Sequence, residues 1–364
     1  MKKIFVLLFS LSFLIIPAAH ADLPVIRITD KPHINFEGVF RNNELAVTLL
    51  PNGKLGKLIY GAASTGNTYV IDAALVDEVT LMAAGYAFDK KEDLDGQKTA
   101  QNWLFRLRYA TANNKVIALP YGNPDEKLLK SIAPSELRYY SEYAQSRLES
   151  ALGRAVTAET GWGRGVSALT NQFKGDYRDN RRLLTELSTI TNSPEVAALR
   201  ARLAISLNPL LTKFERAYFF RSQDTATDVM SNRLKVIPGR YQITSSSAKF
   251  PVTLVNNFDT VSVVNISLIP MNSRIQIENI SNVTIAPKSR LQILVPVEVI
   301  APGNTLVLVQ FMNSKGQLVG NVSKLDITST VIDSRVAWFT TGAAILLFLG
   351  AITQSVRRIR RSRQ

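Results

Sequence analysis

The spacing of apolar and polar positions changes character twice along the chain. Between residues 45 and 176, short apolar runs alternate with stretches of helical period. The runs at 44–50 (ELAVTLL), 68–71 (TYVI), 115–121 (KVIALPY) and 155–160 (AVTAET) predict β-strands. Pro51-Asn52-Gly53 reads as a turn before a short helix or turn at 55–63. Asp72 starts a helix in which Leu75, Val79 and Met82 share a face and Gly85 fits the stop. In residues 97–112 the inward face is Ala100, Trp103, Leu104 and Leu107. Pro124 and Asp125 open a helix through Ile132, and 135–153 predicts a long helix with a polar N-cap and Gly153 at its end. Strands alternating with helices predict parallel βα units. Residues 22–44 show no clear period and read as an extended lead-in.

From residue 177 to 232 the pattern is helical. Amphipathic segments at 181–190, 193–207 and 211–221 predict a small lobe, with Phe214, Tyr218 and Phe219 as core candidates. From 233 to 331 the period becomes two. Leu291, Ile293, Val295, Val297 and Val299 alternate with residues that include Gln292 and Glu298. Similar runs at 252–255, 261–268, 274–277, 283–286, 305–312 and 323–328, with a turn at 313–316, predict an immunoglobulin-like β-sandwich without a disulfide. A spacer role is its default, because it abuts the next segment. Residues 336–356 hold no charge, and RRIRRSRQ follows. A helix of that length spans roughly 31 Å, about one hydrocarbon core. At the other end, residues 1–21 combine Lys2 and Lys3, an apolar run and Ala19-His20-Ala21, the layout of a signal peptide. Arg357, Arg358, Arg360, Arg361 and Arg363 then mark the cytoplasmic side. The expected arrangement is a single pass of the plasma membrane, with the body extracellular and residues 357–364 a cytoplasmic tail.

Charge and composition narrow the chemistry. The formal net charge is +14, but Lys2, Lys3 and the five tail arginines carry half of it, leaving +7 on the body. That suits a surface facing anionic lipid or wall polymer as well as it suits an ordinary basic surface. No recognition helix or basic–aromatic stripe points to nucleic acid, so no nucleic-acid partner is expected. With no cysteine and two histidines, His20 and His33, the chain lacks the usual zinc donor sets. Neither a metal nor a cofactor is expected.

In a βα architecture, ligands bind beyond the C-terminal ends of the strands. Asp72, Tyr121, Asn123, Asp125, Glu159 and Trp162 fall there and form the candidate ligand-binding set. Tyr121 and Trp162 suit stacking on a sugar ring. Two of Asp72, Asp125 and Glu159 would serve a glycan hydrolase as acid and base. Asp72 and Asp125 also sit at helix starts, where a carboxylate caps free N–H groups. No phosphate-binding loop or dinucleotide fingerprint occurs. Four sequons lie in the sandwich, at Asn265, Asn279, Asn282 and Asn321.

The runs TYVIDAALVDEVTLMAAGY, GQKTAQNWLFRLR and VIALPYGNPDEKLL, followed by the sandwich and the Arg-tipped anchor, resemble an uncharacterised family of actinobacterial membrane-anchored envelope proteins. The resemblance covers most of residues 45–356. It implies a polysaccharide-deacetylase- or glycosidase-like α/β domain, here an incomplete or degenerate β/α-barrel-like one. It also implies an envelope role, since the family's genes often lie beside that of the lipid II flippase. This chain departs from the pattern. It looks shortened, Asn123 stands where an acid is common, and Ala74 replaces the usual Pro. A metal-dependent deacetylase needs an Asp and two His, and the mature chain keeps only His33. The expectation is therefore an exported, tethered envelope protein that binds wall glycan or a membrane wall-synthesis protein without catalysis, besides its contact with membrane lipid through the C-terminal helix. A metal-independent glycan hydrolase and a structural subunit of an envelope complex are the alternatives.

Overall fold

A computed structural model describes residues 24–61, 65–88, 91–159, 161, 168–330 and 334–361. The signal-peptide segment, Trp162 and Arg363 lie outside the described residues.

The first body is a parallel sheet wrapped by helices. Its elements are β1 (Val25–Ile28), α1 (Glu44–Leu49), α2 (Lys54–Tyr60), β2 (Thr68–Asp72), α3 (Ala73–Ala84), a hairpin of β3 (Ala87–Phe88) and β4 (Lys91–Glu92), α4 (Leu94–Thr111), β5 (Lys115–Leu119), α5 (Glu126–Ile132), α6 (Pro134–Leu152) and β6 (Thr157–Ala158). The sheet order is β1-β2-β5-β6, all parallel. Alternation along the strands serves two cores. Tyr69, Ile71, Val116 and Ala118 join the main core, while Val70, Ile117 and Leu119 pack on the other face. Among the described residues the sheet is open, with β1 and the two-residue β6 at its edges.

Several expectations are corrected here. Residues 44–50 form helix α1, because Leu45, Ala46 and Leu49 lie on one helical face and are buried there. The stretch read as a lead-in supplies edge strand β1, which pairs with β2 from Val25↔Thr68 to Ile28↔Ile71. Helix α6 has no polar cap. Ala133 precedes it, Pro134 opens it, and Gly153 closes it in the left-handed conformation at φ 70.

The second part is helical: α7 (Asn171–Leu187), α8 (Pro194–Arg202), a 3₁₀ turn (Leu203–Leu207) and α9 (Lys213–Ser231). Thr212 and Glu215 form a capping box at the start of α9. Of the three aromatic core candidates only Phe219 is buried. Phe214 is 88 % exposed and Tyr218 lies at the surface. The inward face carries Arg216 and Gln223 instead. Arg216 donates to the carbonyls of Ser206, Asn208 and Leu211, at and just beyond the end of the 3₁₀ turn.

The third part is two facing sheets. Strands β7 (Leu234–Val236), β8 (Gly239–Ile243), β9 (Ser247–Asn256), β10 (Ser262–Pro270), β11 (Ile275–Ile277), β12 (Ile280–Ile285), β13 (Ser289–Val299), β14 (Gly303–Met312) and β15 (Leu318–Ser329) form a five-stranded sheet, β12-β10-β14-β15-β8, and a four-stranded sheet, β11-β13-β9-β7. Pairing is antiparallel except between β8 and β15. Phe250, Val252, Ile266, Val295, Val307 and Phe311 are among the apolar side chains buried in the shared core. The helical lobe sits at the end of these sheets where β15 begins. Asn313 Nδ2 donates to Thr189 Oγ1 at 3.2 Å, Asn321 Nδ2 to Ser231 Oγ at 3.1 Å, and Arg233 pairs with Glu195. The sequon asparagines serve the sheets. Asn265 Oδ1 accepts from Asn282 N, and Asn279 Oδ1 accepts from Leu268 N. Past the other end of β15 comes α10 (Ser334–Arg361). Within it Trp338–Ser355 has a mean hydropathy of 1.3, so this helix is long and apolar enough to cross a membrane.

Candidate functional site

The C-terminal ends of β2 and β5 are closed by the chain itself. Asp72 ends β2 and caps α3: its Oδ1 accepts from Ala74 N at 3.0 Å and from Gly122 N at 2.9 Å. It is 2 % exposed. Burial pushes its carboxyl up to about 7, against the two backbone N–H groups that favour the charged form. Asp125 caps α5 through Leu128 N at 3.0 Å and is also buried. Asn123, at φ 46, accepts from Arg27 Nη2 at 3.0 Å. Between them Gly122, at φ +75, lies so close to the 3₁₀ turn that a Cβ would meet Ile205 Cγ2 at 2.8 Å. Asn208 Nδ2 bridges the carbonyls of Asp30 and Gly122. Glu159 turns to the opposite end of β5, where it pairs with Lys115 at 3.0 Å.

Over this rim lies the segment 30–41. Both oxygens of buried Glu78 accept from His33 N at 3.1 Å, and Oε1 also accepts from Ile34 N at 3.2 Å. Burial pushes the Glu78 carboxyl up, and the nearby His33, the two backbone N–H groups and Arg202 oppose it. Burial raises Asp30 too, but the His33 ring at 3.7 Å and the Lys54 ammonium at 3.0 Å outweigh it and hold that carboxyl at about 2.

The structure therefore does not gather the three carboxylates in an open cleft. Two are spent as caps inside the fold, and the third faces away. Tyr121 is buried as well, with its hydroxyl donating to Asp77 Oδ2 at 3.0 Å. One side of its ring does border an open space. That groove, about 290 Å³, runs between α3, α6 and the α8 turn. Its polar lining is Asp77, Thr80, Tyr143, Arg147 and Arg202, with Glu78 at its base. Arg147 holds Asp77 through two nitrogens, Nη2 to Oδ1 at 2.8 Å and Nε to Oδ2 at 3.0 Å. The Tyr143 ring meets Tyr121 edge-on, with centroids 5.1 Å apart.

Residues 129–364 match the model of DUF6049, a family of unknown function. The chain belongs to this family. The matched span includes Tyr143, Arg147 and Arg202 of the groove and the whole of the two facing sheets. A search of curated proteins gave no match. Among solved structures, about a quarter of the chain is similar to several unrelated proteins. WR4, a Caenorhabditis elegans MSP family member, is 9 % identical with a TM-score of 0.22, over 27 % of this chain and 98 % of that one. The secreted serine protease VesC of Vibrio cholerae is 13 % identical with a TM-score of 0.23, over 29 % of this chain and 25 % of that one. A FixG-related protein of Vibrio parahaemolyticus is 11 % identical with a TM-score of 0.21, over 27 % and 94 %.

Sequence reasoning did not find Asp77, Tyr143, Arg147 or Arg202 in this family member. One signal was present. Tyr139, Tyr143 and Arg147 recur every four residues, which puts an aromatic–cationic stripe on one face of α6. Asp77, the partner of Arg147, lies on a different helix, and nothing local announces that contact.

The caps make a direct prediction. Asp125→Ala should lower stability by about 0.5–2 kcal/mol, while Asp125→Asn should cost a few tenths, because an amide oxygen still accepts from Leu128 N. Denaturant unfolding of the two variants checks this. Equal losses would show that the charge, not the cap, is what matters at 125.

Proposed function

We propose that this protein is an exported, membrane-tethered component of the cell envelope whose body binds wall glycan or a membrane-bound wall-assembly partner without turning it over. The observation that carries this reading is the use of Asp72 and Asp125 as buried helix caps, with Glu159 paired to Lys115. A hydrolase needs two carboxylates facing one substrate, separated by roughly 5–10 Å. Here the strand-end acids hold the fold together.

On this reading α10 crosses the plasma membrane once, the body lies outside, and the arginines after the apolar stretch stay in the cytoplasm. The paired sheets act as an immunoglobulin-like stalk, and the parallel sheet is a reduced relative of a β/α barrel. β15 has 12 residues, the helical lobe sits at its start, and α10 follows its end. At about 3.3 Å per residue, such a stalk would hold the α/β body roughly 40 Å from the anchor. Such a spacing suits a module that reaches into a wall more than one that lies on lipid.

The test is co-sedimentation of the detergent-extracted full chain with purified insoluble wall, together with a reducing-end assay. Binding without release of sugar ends is expected. Turnover by the wild type that disappears in Asp125→Asn at unchanged melting temperature would replace this reading with a hydrolase.

A further inference from the structure

The groove beside Tyr121 has an unusual balance of hydrogen-bonding groups. Its carboxylates are taken: Asp77 is held by Arg147 and Tyr121, and Glu78 by His33 N and Ile34 N, while the Thr80 hydroxyl donates to Val76 O. Several of its other donors are not. Arg147 spends Nε and Nη2 on Asp77, which leaves Nη1 without a hydrogen bond among the described residues. Among the described residues Arg202 donates only through Nη2, to Ile34 O and Asn35 O. The Tyr143 hydroxyl makes no hydrogen bond among the described residues, although its ring packs against Tyr121 and Tyr139. Around these donors the walls are apolar: Ile34, Ala74, Leu81, Ala198 and Ile205.

A donor-rich rim over an apolar wall selects its ligand by exclusion. A ligand bearing an ammonium would find no free carboxylate to meet it, and desolvating that charge would be costly. A purely apolar ligand would strand the guanidinium N–H groups. A planar carboxylate is the acceptor that guanidinium groups recognise best. The volume is at the lower end of small-molecule sites, which limits the ligand to a single short unit. Burial raises the Tyr143 hydroxyl, with Arg147 and Arg202 partly opposing, so it stays a neutral donor near pH 7.

The geometry points to this groove as a receptor for a monocarboxylate without a cation of its own, in the class of an N-acylated amino acid or the C-terminal end of a peptide. The inference deepens the reading of the body as a binding module and rests on it. Arg147 Nη1, Arg202 and the Tyr143 hydroxyl receive the carboxylate. Leu81, Ala198 and Ile205 cover the short side chain.

Calorimetric titration of the detergent-solubilised full chain with N-acetyl-alanyl-alanine tests it, against the C-terminal amide of the same dipeptide, inorganic phosphate and a neutral amino-sugar oligomer. The acid should bind saturably and the amide at least about tenfold more weakly, the loss expected for hydrogen bonds to a charged acceptor. Tyr143→Phe removes a hydroxyl with no internal partner, so the fold should persist while affinity falls about fivefold. Leu81→Glu, on the exposed wall, should abolish binding by setting a like charge beside the carboxylate. Acid and amide binding equally, phosphate binding as well as the acid, no binding of the acid, or unchanged affinity in Tyr143→Phe would each overturn the assignment. Binding of the neutral oligomer in place of the acid, insensitive to Leu81→Glu, would overturn the groove while leaving the proposed wall-binding function standing.

Discussion

Glu136→Ala should destabilise the protein by about 3–5 kcal/mol, the range seen when one partner of a buried ion pair is removed. Glu136 is 1 % exposed. Its carboxylate receives Arg200 through two nitrogens, Nη2 at 2.7 Å and Nε at 3.0 Å, and Arg181 Nη1 at 3.5 Å. Arg200 also stacks over the Tyr139 ring at 4.1 Å. The cluster ties α6, α7 and α8 together, and with them the α/β body to the helical lobe. Without the carboxylate, the half-buried guanidinium groups of Arg200 and Arg181 lose their shared counter-charge. Against a typical total of about 5–15 kcal/mol, that loss threatens folding itself. The double variant Glu136→Met, Arg200→Met should recover much of it, because an apolar pair leaves less charge unpaired. Urea unfolding of the single and double variants checks both statements, and a loss below about 1 kcal/mol in the single variant would refute the first.

The second large effect is a loss of stability as pH rises. The Asp72 carboxyl titrates near 7 in the folded chain, against an ordinary value of 3.8. The folded state therefore binds more protons than the unfolded state between those values, and stability must fall as pH rises from about 4 to 7. At 1.36 kcal/mol per pH unit the difference is on the order of 4 kcal/mol for the wild type. Glu78, also raised by burial, adds to the same slope. Asp30 acts in a separate window. Its carboxyl is held low, at about 2, so its contribution is present above about 4 and lost only in stronger acid. Asp72→Asn keeps an oxygen for Ala74 N and Gly122 N but carries no charge. Melting temperatures at pH 5 and pH 8 should differ much less in this variant than in the wild type, and its pH 8 value should be the higher of the two proteins. Equal slopes in the two would show that Asp72 does not ionise in this range.

How far the fold could be read in advance depended on whether local pattern and tertiary burial agreed. They agreed at TYVI and KVIALPY, where strands are buried on both faces, and at α4, whose inward face Ala100, Trp103, Leu104 and Leu107 is the buried one. They agreed again in β14, where alternate residues are buried from Thr305 to Phe311. They disagreed at ELAVTLL, too short for its period to separate strand from helix. They disagreed also at α9, where a buried Arg216 and Gln223 turned the expected face outward. The two caps in the candidate site were legible, because a carboxylate before a helix has one obvious local task. The closure of the strand ends was not, because Asn208, Ile205 and the His33 segment reach that rim from distant parts of the chain.

Strand β15 has a mechanical consequence. It lies between β14, antiparallel to it, and β8, parallel to it, and α10 continues from its far end. Its near end is tied to the helical lobe through Asn321. With α10 embedded in the bilayer, as proposed above, a pull on the body runs along this strand. The ladder bonds on both sides are then loaded in shear and all at once, where a hairpin peeled from its end would give way one bond at a time. On that proposed arrangement the two sheets would pass tension from a ligand of the body to the membrane with little yield.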